Sequence, residues 1–371
     1  MPPRFKKTLK QSFFGDFLYA QAIPADHFLV QLDKAIRWSE FTSVLITAYK
    51  GKGEQGEVPY DPVIILKMLL LSYLYDISER RTEDFCNYYL PAKAFIGLGI
   101  TDHAPDHSTL TAFKTRLLEH NGSQDYRKLF DMIIGQAQDA GIAFGTIQLV
   151  DAVHTIANVN NEKDRKRQEH GKPSADPDAT VVHKGKRTVT DPDGTTHKQD
   201  ITYLGYKTHV SMDAESGLVT SIDPASGDTA DNKEMPGLVN HDAALGVPAE
   251  TYAGDGAYDD GDLHEMLKDL GKHSALKLDA IRTTKKDPNK EPWLALLADA
   301  FYQAGLKLRF RIERKFGEAK AWHGFARCRY RGLDRYWVQS FLTFMTLNLK
   351  RMVLLETGVR FRPLAKQLIE G

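Results

Sequence analysis

The sequence changes texture at residue 146, and that change limits the fold more than any other feature. Before it, the patterned segments carry apolar residues at helical spacing. After it, strand-like and helix-like runs alternate. A chain divided in this way is expected to form a helical N-terminal domain followed by a mixed α/β domain built on one sheet.

In the first part, Asp61-Pro62 opens the apolar run VIILKMLLLSYLY. An Asp cap with proline at the first helical position is a helix start. Further helices are expected over 25–32, 79–90, 107–120 and 124–140, with a loop at Gly51–Gly56. This all-helical region, 1–140, suits a helix-turn-helix arrangement and equally a plain bundle that touches no DNA. The longest apolar run, Val63 to Tyr75, is interrupted by Lys67 and is too short to span a bilayer. The N-terminus lacks the continuous apolar core of a secretory signal. The expected location is therefore the cytoplasm, with no membrane partner. Cys86 and Cys328 are the only cysteines, too few for a zinc site by themselves and in keeping with a reducing compartment.

In the second part, TIQLV ends in Asp151 and reads as a strand. Residues 160–200 are polar and read as a long loop or mobile insertion. A β-hairpin follows, 204–213 with 218–222. Then come a helix at 231–245, a short strand TYAG ending at Asp255, a helix at 262–270 and a strand at 274–278. A basic loop over 279–291 leads to a long helix from Trp293 to about Trp322 with a break at Gly305, and a last apolar helix covers 338–355. The expected domains are 1–140, 141–355 and a tail, 356–371.

Net charge excludes one argument and redirects it. Lys+Arg 49 equals Asp+Glu 49, so overall charge says nothing about nucleic acid. Local charge does. Between Lys307 and Arg351 stand twelve Lys/Arg against three acids, Glu313, Glu318 and Asp334, with aromatics interleaved. Such a segment suits a polyanion whose bases can be stacked.

Two carboxylates, Asp151 and Asp255, sit where strands emerge, held by the sheet with room for a hard cation. Each is also the residue type that caps a turn after a strand. A third candidate is Glu313. On a helix, Arg309, Glu313 and Lys320 lie near one face, four and seven residues apart; a solvated, salt-bridged face has the same spacing. Carboxylates beside a basic patch are what metal-assisted phosphodiester chemistry needs. The histidines show no zincin spacing, and no phosphate-binding glycine loop or GxSxG elbow is present.

In order along the chain, these residues resemble a family. LVDAVHTIANVN, LGYKTHVSMDAESGLVT, AGDGAYDD and ERKFGEAKAWHGFARCRYRGL are similar to the acidic blocks and hairpin of bacterial insertion-sequence transposases of the DDE class. The resemblance is to the superfamily with a Tyr–Arg–Glu–Lys signature, nearest the insertion sequence 5 and insertion sequence 1182 groups. Arg309, Glu313 and Lys320 fit the last three signature positions, and Leu306 stands where the Tyr is expected. YDPVIILKMLLLSYLYDISERR and PDHSTLTAFKTRL resemble the helical domain that precedes the catalytic core.

The resemblance implies an RNase H-like fold in which Asp151, Asp255 and Glu313 coordinate two Mg²⁺ ions, with Mn²⁺ as a substitute. It implies that Arg309 and Lys320 contact transposon-end DNA, joined by Arg314, Arg329 and Arg331 of the basic segment. The reaction would be nicking at the element ends, then attack of the freed 3′-hydroxyl on target DNA. The helical domain would bind the terminal inverted repeats, and a homodimer would act on two ends, in a bacterial cytoplasm and at the nucleoid. A standalone nuclease or a transposase-derived DNA-binding regulator would share these features without strand transfer.

Overall fold

A computed structural model describes residues 5, 13–49, 58–283 and 290–363. The expected loop Gly51–Gly56, the middle of the basic loop (284–289) and the end of the tail (364–371) lie outside the described residues. The chain divides into two compact units. The first comprises residues 1–143, 322–324 and 341–371; the second comprises 144–321 and 325–340.

The first unit is helical. Its helices are α1 (Phe13–Ala22), α2 (Phe28–Ala35), the single turn α3 (Thr42–Leu45), α4 (Pro62–Leu74), α5 (Glu79–Tyr88), α6 (Leu90–Phe95), α7 (His107–Asn121) and α8 (Gln124–Asp139). The start of α4 is as its sequence requires: Asp61 Oδ1 accepts a hydrogen bond from the Val63 amide at 2.9 Å, and Pro62 gives up no donor. Ser78 and Asp106 cap α5 and α7 in the same way. Lys67, the charge inside the apolar run, is buried but not alone. Its ammonium donates to Asp33 Oδ1 at 2.6 Å and to the Phe95 carbonyl at 2.8 Å, between the rings of Trp38 and Phe95. Among the described residues, no helix is long and apolar enough to cross a membrane.

The second unit is built on a six-stranded mixed sheet. In chain order its elements are β1 (Ile147–Ile156), α9 (Asn161–Glu169), β2 (Thr180–Thr190), β3 (Thr196–Asp213), β4 (Val219–Ser226), α10 (Asp231–Ala244), β5 (Thr251–Gly254), α11 (Gly261–Asp269), β6 (His273–Leu276), α12 (Lys290–Ala298), α13 (Ala300–Leu308) and α14 (Phe310–Trp322). The last helix, α15 (Leu333–Thr357), belongs to this unit as far as Ser340 and to the helical unit beyond it.

The path of the sheet is β2-β3-β1-β5-β6; β2 pairs with the first half of β3, and β4 pairs with its second half, opposite β1. β1, β3 and β4 are antiparallel neighbours, whereas β5 and β6 run parallel to β1 and are reached through the crossover helices α10 and α11. The run β4-β3-β1-β5-β6 through the second half of β3, with these directions, agrees with the sheet that the resemblance implies. One face carries the apolar core in which Val150, Tyr252 and Leu276 meet Met235, Leu238, Leu263 and Leu267 of α10 and α11. The opposite face takes α13. Gly305 approaches the sheet so closely that a Cβ there would lie 2.6 Å from Ala275 Cβ and 3.0 Å from Ala253 Cβ.

Three expectations change. β1 does not end at Asp151; it continues to Ile156, because β3 pairs with it residue for residue from Gln148 to Ile156. The stretch 160–200 is not a long loop. It holds α9 and a hairpin of β2 with the first half of β3, closed by the turn Asp191-Pro192-Asp193-Gly194. Backbone pairing suffices for a ribbon exposed on both faces, so the apolar alternation that marks a half-buried strand is missing. The long helix near the C-terminus breaks at Asp299 and Arg309 rather than at Gly305. Asp299 caps α13 by accepting from the Tyr302 amide, and Gly305 serves close packing.

Candidate active site

The sheet register sets two carboxylates side by side. β1 and β5 pair in parallel with Leu149 opposite Ala253. Two residues further along both chains stand Asp151 and Asp255, at one level and on the face that receives α13. Asp255 follows the last residue of β5 and caps a short turn, its Oδ1 accepting from the Ala257 amide at 2.9 Å. Asp151 Oδ1 accepts from the Ala152 amide at 2.8 Å.

Asp151 is a carboxyl largely removed from water, its side chain 17% exposed. Burial pushes its pKa up to about 7, and the nearby charges of Asp255 and Asp231 push the same way; the Ala152 amide and Arg309 oppose them.

The third carboxylate arrives from the helical layer. Arg309 is the single residue between α13 and α14. Its Nη2 lies 3.9 Å from Asp151 Oδ2 and 4.0 Å from Glu313 Oε1. Glu313, in the first turn of α14, is the exposed member, its side chain 62% accessible. The structure thus brings Asp151, Asp255, Arg309 and Glu313 to one end of the β1–β5 pair. The three carboxylates do not converge as tightly as bound-ion ligands: among the described residues, the one set of acids and histidines with all ligand atoms within 4.8 Å is Glu83, Asp106 and His107 in the helical unit. There Glu83 Oε2 accepts from the His107 amide and stands 2.8 Å from its Nδ1.

The other candidates are spread out. Lys320 lies on α14, half-buried, two turns beyond Glu313. Arg314 is exposed, with its guanidinium 4.7 Å above the Phe310 ring. Arg329 and Arg331 gather instead at the exit of β1. The Arg329 carbonyl accepts from Asn158 Nδ2 at 3.2 Å, and Arg331 Nε donates to the Asn158 carbonyl at 3.0 Å.

Four further residues surround the acids and carry no local signal in the sequence. Asp231 opens α10, and its Oδ1 accepts from Lys207 Nζ at 2.9 Å. His209 is fully buried with Nδ1 3.7 Å from Asp231 Oδ1, and neither ring nitrogen makes a hydrogen bond among the described residues. Burial, with Lys207 nearby, pushes its pKa down to about 3, so the ring is neutral. Tyr258 is fully buried, and its hydroxyl has no hydrogen-bond partner among the described residues although Asp231, Asp151, Asp255 and Arg309 all act on it.

The residues present fit a divalent metal. The donor set is hard carboxylate oxygen, as Mg²⁺ and Mn²⁺ require. A buried carboxyl that resists ionisation gains from a cation, and a guanidinium already stands between two of the acids. The Tyr258 hydroxyl and Arg309 Nε are buried polar atoms still without partners beside them.

Residues 17–116 match the family described as transposase domain (DUF772), and residues 169–349 match the transposase DDE domain. The second match includes Asp255, Arg309, Glu313 and Lys320 and begins after Asp151. Among solved structures the chain is similar to the piggyBac transposase synaptic complex with hairpin DNA, at 9% identity and a TM-score of 0.44, over 92% of this chain and 78% of that one. It is also similar to the Mos1 strand transfer complex, at 12% identity and a TM-score of 0.22, over 84% and 82% of the two chains. Likeness at this distance carries no argument about the site.

Proposed function

We propose that this chain is a DDE-type insertion-sequence transposase that catalyses DNA cleavage and strand transfer, a reading supported by its matches to the transposase domain and the transposase DDE domain. Asp151, Asp255 and Glu313 form the acidic triad and hold the divalent ions the reaction uses, Mg²⁺ with Mn²⁺ as substitute. The observation that carries this assignment is the placement of Asp151 on β1 beside Asp255, just past the end of the parallel neighbour β5, with Glu313 joined to Asp151 through Arg309.

Asp151, Asp255 and Glu313 would hold two ions, which would supply activation of a water or a 3′-hydroxyl and stabilisation of the leaving oxygen. The protein's own work is positioning. The sheet fixes Asp151 and Asp255, and α14 brings Glu313 from the exposed side. Arg309 balances the charge of Asp151 and Glu313 in the metal-free protein and offers a cation to a phosphate entering between them. Lys320, Arg314, Arg329 and Arg331 contact the DNA backbone. The helical unit binds the terminal inverted repeats, and a homodimer engages two ends, in the bacterial cytoplasm at the nucleoid. Arg309, Glu313 and Lys320 at signature spacing favour the insertion sequence 5 and 1182 groups.

The test is a cleavage assay on DNA flanking the gene, with Mg²⁺, Mn²⁺ or EDTA. Asp151→Asn, Asp255→Asn and Glu313→Gln should each abolish cutting and joining while leaving DNA binding in place. Cleavage retained by any of the three would refute the triad. Nicks without joined products would point to a nuclease, and binding without turnover to a regulator.

A further inference from the structure

A second cationic site lies away from the acids. The cavity, of about 450 Å³, is formed by α9, the loop that follows it and Arg331. Its charged lining is Lys163, Lys166, Arg167, Lys172 and Arg331, joined by His170, against the single acid Asp164. Asp164 is buried and spent on structure. Its oxygens accept from the Ala175 amide at 2.6 Å, Gln168 Nε2 at 2.8 Å and Ser174 Oγ at 2.9 Å, which folds the loop back onto α9.

Two of the cations are aimed by backbone carbonyls. Arg167 Nε donates to the Pro173 carbonyl at 2.7 Å, and Arg331 Nε donates to the Asn158 carbonyl at 3.0 Å. Each anchor uses one nitrogen and leaves the two terminal nitrogens of the guanidinium for a ligand. Lys166 pairs with Glu162. Lys163, Lys172 and Arg331 have no carboxylate partner among the described residues. In a chain of zero net charge, this is a concentrated positive surface with its local acid already satisfied.

Its position suits an extended polyanion. β1 leads directly from Asp151 to this cavity. The five residue-to-residue steps from Asp151 to Ile156 span about 17 Å at roughly 3.3 Å per residue. At roughly 3.4 Å of rise per base pair, a duplex with one phosphate at the acids places others about five base pairs or more away in reach of the cavity.

We propose that this cavity is a clamp for DNA backbone phosphates, distinct from the acidic site. The inference rests on the transposase reading for the identity of the polyanion. The phosphates belong to the element end or to the target duplex, and the two are separable.

The experiment measures the dissociation constant against salt for the full chain with two duplexes of equal length, one from DNA flanking the gene and one of unrelated sequence. Each neutralised phosphate contributes about 0.9 to the slope of log affinity against log salt. The triple variant Lys163→Gln, Arg167→Gln, Lys172→Gln should lower that slope by about two to three. Loss on the flanking duplex only assigns the clamp to the element end, and loss on both assigns it to target DNA as well. The double variant Lys163→Arg, Lys172→Arg keeps the charges and should keep the wild-type slope. An unchanged slope in the triple variant on both duplexes, or equal loss in the charge-keeping variant, overturns the proposal. The slope needs no cleavage, so a wild-type protein that never cuts DNA would refute the catalytic reading and leave the clamp standing.

Discussion

Arg309 Nη2 stands 3.9 Å from Asp151 Oδ2 and bridges onward to Glu313, so a helix boundary supplies the cation that joins a sheet carboxylate to a helix carboxylate. If that bridge aligns the acids, Arg309→Gln should lower single-turnover cleavage by about a hundredfold or more, the scale of losing one preorganised charge at a reacting centre. DNA binding measured by mobility shift should change far less. A wild-type cleavage rate in this variant would remove Arg309 from the site.

Burial of Asp151 gives stability a pH dependence of defined sign. The carboxyl holds its proton up to about pH 7 in the folded protein, against an ordinary value of 3.8. The folded state therefore binds more protons between those values. The stability contributed by Asp151 is complete below pH 4, declines as pH rises towards 7 and stays low above it. Asp151→Asn should stabilise the metal-free protein at pH 8 by about 2–4 kcal/mol and have little effect at pH 4. Denaturant unfolding of both proteins across that range checks this; a difference independent of pH would contradict it. Added Mg²⁺ or Mn²⁺ should reverse the order at pH 8, because only the wild type gains a ligand-bound form.

Tyr258 buries a hydroxyl with no hydrogen-bond partner among the described residues. Tyr258→Phe should leave the metal-free protein as stable as wild type, or more stable by about 1 kcal/mol, since no bond is lost and a desolvated polar group is removed. A loss above 2 kcal/mol on denaturant titration would mean the hydroxyl is satisfied in solution.

Gly305 tests how α13 is seated. Gly305→Ala drives a methyl into Ala275 and Ala253 on the strands beneath, so the helix must shift. The cost should be about 1–3 kcal/mol by thermal or denaturant unfolding. Ala275→Gly in the same chain should recover part of it, and strictly additive effects would show that the two sites do not touch. Because α13 leads directly into Arg309, cleavage should fall with the shift.

By itself the sequence determined the features written in short-range chemistry. Asp61-Pro62 starts α4 because capping and proline geometry act within one turn. The 204–222 hairpin and the helix from Asp231 follow from local turn and spacing rules. The Arg309–Glu313 pairing follows from spacing, because Arg309 keeps helical backbone angles just before α14 and stands four residues from Glu313. Tertiary structure decided what depends on partners far along the chain. Asp151 reads as a strand's end, yet β3, some sixty residues away, extends β1 past it and holds the carboxyl within the sheet. The exposed ribbon of β2 and β3 has no apolar alternation to announce it, because its strands are held by each other's backbone. Asp231, His209 and Tyr258 gain their place beside the acids only when α10 and β5 close on the sheet. Gly305 looks like a helix break until the strands beneath it show that the missing side chain is what lets the helix approach. Periodicity reports which face a residue occupies, but burial and charge come from the element that covers that face, and no local pattern encodes it.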